Sequence, residues 1–298
     1  MKAIIAAFLA NLGIAVAKFV GFAFTGSAAM LAEAIHSTAD TSNQALLMLG
    51  RRKANKPATP DHPFGYGRER FFWSFVVALV IFSFGAVFAL FEGIEKLREP
   101  HELDSVEWAI GILLFAIVLE GYSFRTAIHE SRPIKGDGSW WKFIRHAKVP
   151  ELPVVLLEDL GALIGLVFAL AGVITAKVTG NARFDAVGSV AIGVLLALIA
   201  VILVIEMKSL LIGESATPAQ RKTIADTITA HPETSRLIHM RTEHLGPEEL
   251  LVGAKIEFAH EMTAPKLAAA IDSVEAAMRA AVPEARVIYI EPDIFRGD

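Results

Sequence analysis

Long apolar runs separated by short polar ones fill most of the chain, and a different rhythm follows them. Six runs, at 3–24, 27–50, 72–94, 106–128, 152–176 and 185–211, each hold about 20 or more residues, enough for a helix to cross a bilayer. Little more than Thr25-Gly26 separates the first two, which predicts a tight antiparallel hairpin. The start, Met1-Lys2-Ala3-Ile4-Ile5, imitates a signal peptide. The run stays apolar past Lys18 to Phe24, however, with a second span behind it, so it reads as an uncleaved first helix. Asn11 and Lys18 are polar residues within it, and Lys18 reads as snorkelling or pairing with an acidic neighbour.

Beyond residue 211 the pattern becomes that of a soluble domain. Thr217 to His231 reads as a helix, with Thr217 as N-cap and Pro218 at the first helical position. Arg236–His244 and Leu250–Phe258 alternate like two strands about the turn-like Gly246-Pro247-Glu248. Ala264–Ala281 is a second amphipathic helix and Arg286–Glu291 a third strand. The order helix–strand–strand–helix–strand predicts a small α+β domain, a cap suited to dimerisation or regulation more than to chemistry. The expected division is therefore a transport domain over 1–211 and a dimerisation domain over 212–298.

Composition narrows the class. Of 298 residues 54% are hydrophobic, and a mean hydropathy of +0.49 is too apolar for a soluble protein. The net charge of −4 says little, because the charges are unevenly placed. There is no cysteine, which excludes disulfides and thiolate metal sites. Arg51, Arg52, Lys53, Lys56, Arg68 and Arg70 follow the second span, and Arg132, Lys135, Lys142, Arg145 and Lys148 follow the fourth. The alternate loops carry only Lys96, Arg98, Lys177 and Arg183. The positive-inside rule then puts both termini, and the soluble domain, in the cytoplasm.

Ionisable groups interrupt the apolar runs. In Glu33-Ala34-Ile35-His36-Ser37-Thr38-Ala39-Asp40, His36 and Asp40 share a helical face about one turn apart. Glu33 precedes them, and Asn43 and Gln44 continue the same side. An imidazole and a carboxylate on one rigid face offer two ligands to a borderline cation such as zinc. Charge at that depth marks an ion path; the alternative is a polar seam satisfied by neighbouring helices. Glu158 and Asp159 place two carboxylates in the first turns of the fifth span, pointing about 100° apart, so only one faces a shared centre. With Glu151 and Pro153 ahead of them, a place near the interface at the helix N-terminus is the alternative. Glu120, beside Gly121 and Tyr122, is a third buried acid, read as packing or proton handling.

Taken together these residues resemble the cation diffusion facilitator family, the zinc transporter family of animals. The resemblance rests on His36-x-x-x-Asp40, Asp159, the six spans and Asp61-His62-Pro63-Phe64-Gly65-Tyr66-Gly67 after the second of them. Asp185 opening the sixth span and the form of the tail complete it, so that it covers essentially the whole chain. The matches over 33–44 and 154–159 look like the branch that includes the mitochondrial zinc exporter of animals. The resemblance implies an all-α six-helix transmembrane domain followed by a small α+β ferredoxin-like cytoplasmic domain. It implies a homodimer in membrane lipid that exchanges a cytoplasmic divalent cation, zinc, for protons by alternating access. A bacterial inner membrane is the expected address, with an organelle membrane as the alternative. No resident cofactor, enzymatic step or nucleic-acid partner is expected.

Carried over by position, the family's transport site is His36, Asp40 and Asp159. The family usually has His or Asp four residues before Asp159, where this chain has Val155. Water, Glu158, Asn43 or Glu120 then completes the shell. His62 matches a peripheral ligand, but Tyr66 stands where a second histidine is often found, and a solvated loop is the alternative. In the tail His239 and Glu291 fall at family metal positions while Lys255 and Tyr289 occupy two others, so no binuclear tail site is expected. The family's charge interlock is placed here at Arg68 and Glu214.

A cation binds such a site when its carboxylates are ionised and His36 is neutral, so uptake releases protons and returning protons displace the metal. The alternatives are a manganese, iron or cobalt transporter of the same fold, a membrane metal sensor and an intramembrane metalloenzyme. The last needs a denser ligand cluster than this, and a sensor needs strong ligands in its soluble part.

Overall fold

The computed structural model describes residues 28–100 and 106–297 continuously, and before them only positions 8, 12, 13, 15, 16, 19, 20 and 23. The expected first span, with Asn11, Lys18 and the Thr25-Gly26 turn, lies outside the described residues. The chain divides into two compact units. One holds the residues up to Arg52 together with Phe72–Met207; the other holds Lys53–Phe71 together with the residues from Lys208 onward.

Helices α1 (Ala28–Ala54), α2 (Glu69–Arg98), α3 (Val106–Lys135), α4 (Trp140–His146), α5 (Glu151–Thr179) and α6 (Arg183–Ile212) build the first unit. Among the described residues four helices, α2, α3 from Ala109 onward, α5 and α6, are long and apolar enough to cross a membrane. They make this an integral membrane protein. Helix α1 covers the expected second span, but its polar stripe keeps it out of that set. Exposed Phe84, Phe88, Phe91 and Val118 give the unit a surface suited to lipid.

Helices α2 and α6 pack at the closeness that glycine permits. A Cβ on Gly93 would stand 2.8 Å from the Val190 backbone nitrogen, and one on Gly193 2.8 Å from that of Leu90. Helix α2 is not uniform: Ile81–Val87 is π-helical, a wider turn than the α-helix on either side. Helix α3 packs along α5. The short α4 was not expected. Ser139 caps it by accepting the Lys142 N–H at 3.1 Å, and Arg145 pairs with the buried Glu206 of α6 at 2.5 Å.

The second unit follows the order read from sequence: α7 (Pro218–Ala230), β1 (Thr234–Gly246), β2 (Glu249–Phe258), α8 (Ala264–Ala281) and β3 (Val287–Pro292). The sheet order is β1-β2-β3, antiparallel then parallel. Thr217 and Gln220 form a capping box at α7, a device that contributes about 1 kcal/mol. Alternation along β2 turns Leu250, Val252, Ala254, Ile256 and Phe258 onto Ile224 and Ile228 of α7 and Val274 and Met278 of α8.

The segment 53–71 belongs to this unit. Gly67 lies against the β1–β2 turn, where a Cβ would meet the Leu245 carbonyl oxygen at 2.7 Å. That seating brings Arg68 to Glu243 of β1 and Arg70 to Glu248 at 3.4 Å. Arg68 thus pairs with Glu243, correcting the expected Glu214, because β1 presents Glu243 where Gly67 docks. The Arg68 and Glu243 side chains are about two-fifths exposed, so the pair is worth ~0–1 kcal/mol after solvent screening. Arg68→Glu should lower the thermal midpoint slightly, and adding Glu243→Arg should restore it. Rescue by Glu214→Arg instead would overturn the assignment.

Candidate functional site

Three helices supply the polar side chains inside the first unit. Helix α1 carries His36, Asp40 and Asn43. The His36 and Glu33 side chains lie outside the described residues, although both positions are helical. Asn43 is 2% exposed and donates from Nδ2 to Glu158 Oε1 at 2.7 Å. Helix α5 carries Glu158 and Asp159, whose angular separation sends them to different neighbours. Glu158 faces α1, whereas Asp159, buried at 9% exposure, accepts from Ser123 Oγ of α3 at 3.0 Å. Glu120 lies three residues before Ser123, on the same side of α3.

Glu158 lies within electrostatic reach of Asp40, Asp159 and Glu120, and Asp159 within reach of Glu120 and Asp40. Four of the sequence-predicted acids thus converge from α1, α3 and α5. Among the described residues no three His, Asp or Glu side chains lie close enough together to hold a metal. Asn43 Oδ1 and Gln44 Oε1 are buried without a hydrogen-bond partner. Such acceptors are costly unless something donates to them or a cation approaches. The interior therefore offers an oxygen-rich surround with a net demand for positive charge. Val155 is half-buried one turn before Asp159 and adds no donor. Ser123 was missed from sequence, its one signal being its spacing from Glu120.

The outlying candidates lie in the second unit. His62 bridges to Thr59 in an exposed loop and packs its ring on Tyr66 at 4.6 Å between centroids. His239, Lys255 and Glu291 stand opposite one another across β1, β2 and β3. Arg241 donates to His239 Nε2 at 3.0 Å. The Lys255 ammonium sits 3.0 Å from Glu291 and 3.4 Å from Asp293.

The bond to Glu291 holds Lys255 above the ordinary lysine range. The Ile294 N–H, and after it Lys255, holds Asp293 below the ordinary carboxylate range. The lysine's contribution is complete below its unfolded pKa and lost as pH rises through the raised value. That of Asp293 is complete above its unfolded pKa and lost as pH falls through the lowered one. Lys255 and Asp293 therefore both stay charged at every pH between.

The cation efflux transmembrane domain family matches residues 4–212. The chain is 32% identical over 244 residues to the mouse "Proton-coupled zinc antiporter SLC30A9, mitochondrial", a match covering 81% of this chain and 43% of that protein. Over 243 residues it is 32% identical to the human protein of the same name, with the same coverage. To "Metal tolerance protein C4" of Arabidopsis thaliana it is 29% identical over 249 residues, covering 82% of this chain and 54% of that one. The chain thus spans about half the length of the curated relatives it matches. Among solved structures, a MamM-CTD chain matches at 18% identity and a TM-score of 0.25, over 26% of this chain and 96% of that one.

Proposed function

The chain belongs to the cation diffusion facilitator family, and on that premise we propose that it is a divalent-metal efflux transporter, carrying zinc against protons. The observation that carries this reading is that Glu158 of α5 lies within electrostatic reach of Asp40 of α1, Glu120 of α3 and Asp159, with α3 and α5 long and apolar enough to cross a membrane. Carboxylates in such an apolar setting are retained where something uses their charge. The names of the mouse and human relatives supply zinc and the coupled proton.

In this reading His36, Asp40 and Asp159 take the cation, and one of Glu158, Asn43 and Glu120 supplies the remaining oxygen. Loading requires ionised carboxylates and a neutral imidazole, so each metal bound displaces protons. Reprotonation from the opposite side releases it. Ser123 fixes one oxygen of Asp159 and leaves the other to turn toward the cation. Asn43 does the same for Glu158. The coupling needs no covalent step.

The molecule works as a homodimer of six-span subunits with both termini cytoplasmic. Residues 1–211 transport, and the α+β tail, ferredoxin-like in this family, associates. A bacterial inner membrane remains the proposed address, beside relatives named mitochondrial. A second reading, a manganese, iron or cobalt transporter of the same fold, rests on Val155: a site one protein ligand short has room for water or a neighbouring acid, which suits metals that accept higher coordination.

Proton flux in proteoliposomes across a series of zinc, manganese, iron and cobalt tests the reading; no metal-dependent flux for any of them would end it. Val155→His sharpens the test. A second imidazole one turn before Asp159 suits four-coordinate zinc. The variant should bind zinc about tenfold or more tightly, slow its release, and barely change manganese. It should also show a steeper pH dependence, since one more group must lose its proton. Equal effects on both metals would mean that Val155 does not face the cation.

A further inference from the structure

Helix α4 joins two membrane-spanning helices and has two unlike faces. Phe143 and Ile144 are buried, whereas Trp141, Lys142, Arg145 and His146 are exposed, Trp141 by 56%. Because α3 ends at Lys135 and α5 begins at Glu151, the residues between them must stand at one surface of the bilayer. From Arg132 to Lys148 there are five Lys and Arg residues against a single acid, Asp137.

The aromatic and cationic groups are interleaved. The Lys135 ammonium lies 5.2 Å from the Trp140 ring centre, and the Arg145 guanidinium 5.9 Å from that of Trp141. The Arg145–Glu206 pair and the buried Phe143 and Ile144 pin the helix, which fixes the direction of its outer face.

An exposed tryptophan beside lysine suits neither bulk water nor the hydrocarbon core. It suits the headgroup layer, where an indole lies among glycerol and carbonyl groups and a cation meets phosphate. We propose that the outer face of α4, Trp141 with Lys142 and His146, docks the phosphate headgroup of an anionic phospholipid of the surrounding bilayer. That face bears no acid of its own, and its place at the bilayer surface brings the headgroup within reach. The docking holds α4, and through Arg145 the Glu206 end of α6, at a fixed depth.

The test uses the full chain in detergent micelles, titrated with phosphatidylglycerol or phosphatidylcholine, with retained lipids counted by native mass spectrometry. The wild type should retain phosphatidylglycerol preferentially. Lys142→Ala should lower that preference about fivefold, the factor one cation supplies at an anionic surface, and Lys142→Glu should lower it further. Lys266→Glu, on the exposed side of α8, should leave it unchanged. Trp141→Phe should remove a component of tryptophan quenching by brominated phosphatidylglycerol.

Equal retention of the two lipids, or an unchanged preference in Lys142→Glu, would overturn the proposal. So would displacement of the lipid by millimolar inorganic phosphate, which would make this a site for the free anion. None of these readings depends on metal flux, so the proposal and the transport function fail separately.

Discussion

Asp159→Asn should abolish metal-driven proton flux in proteoliposomes while leaving the chain folded and inserted. The amide has nearly the volume of the carboxylate and still accepts from Ser123, so packing among α1, α3 and α5 is kept. On the proposed reading, what is lost is a charge facing the cation and a proton site that the exchange needs. The loss should exceed the 10–100-fold that follows removal of a group supporting a metal ligand. Asp40→Asn should behave alike. Ser123→Ala is the graded comparison: it frees the carboxylate without neutralising it and belongs within that 10–100-fold range. The measurement is initial proton flux against zinc concentration for each purified variant, with dimer content and thermal midpoint as controls. Full flux in Asp159→Asn would remove the site assignment.

Gly67→Val should destabilise the second unit by about 2–3 kcal/mol, the cost of forcing atoms into a packed contact. The first atoms its side chain meets are backbone: the Leu245 oxygen at 2.7 Å and the Gly246 Cα at 3.0 Å. No side-chain end can swing away, so the segment must lift from the β1–β2 turn, taking Arg68 from Glu243 and Arg70 from Glu248. Gly65 in the same segment is the control, because it has open space around it but a φ of 75°. Gly65→Ala therefore carries only a conformational cost of about 1 kcal/mol. Hydrogen exchange of the 53–71 amides distinguishes the two: rapid exchange in Gly67→Val, near-native protection in Gly65→Ala. Native protection in Gly67→Val would mean that the segment does not dock at Gly67.

The tail was legible in the sequence almost to the residue, because its signals are local. The Thr217 cap, the alternation of β2 and the Gly246-Pro247 turn each act over a few positions. Helices α2, α3, α5 and α6 declared themselves by length and apolarity. Helix α4 did not: seven residues of Trp, Lys, Phe, Ile, Arg and His carry no readable period, and its amphipathicity shows only once a buried side exists. The π-helical turn at Ile81–Val87 has no sequence signature either. The acids of the interior were visible one by one. Their convergence, with Ser123 on Asp159 and Asn43 on Glu158, depends on how three helices rotate against one another. Arg68 went to the wrong partner for the same reason, since several acids follow the last span and tertiary contact chose among them.

Lys255 has a consequence for control. Its ammonium is part of the chain, so its local concentration beside Glu291 and Asp293 never falls, whatever the level of free metal outside. A reversible ligand at that row would tie the sheet to metal supply; a tethered one gives the sheet a constant set point. On the proposed transport reading, this row gives the tail no metal-dependent contact through which it would feed back on the membrane site.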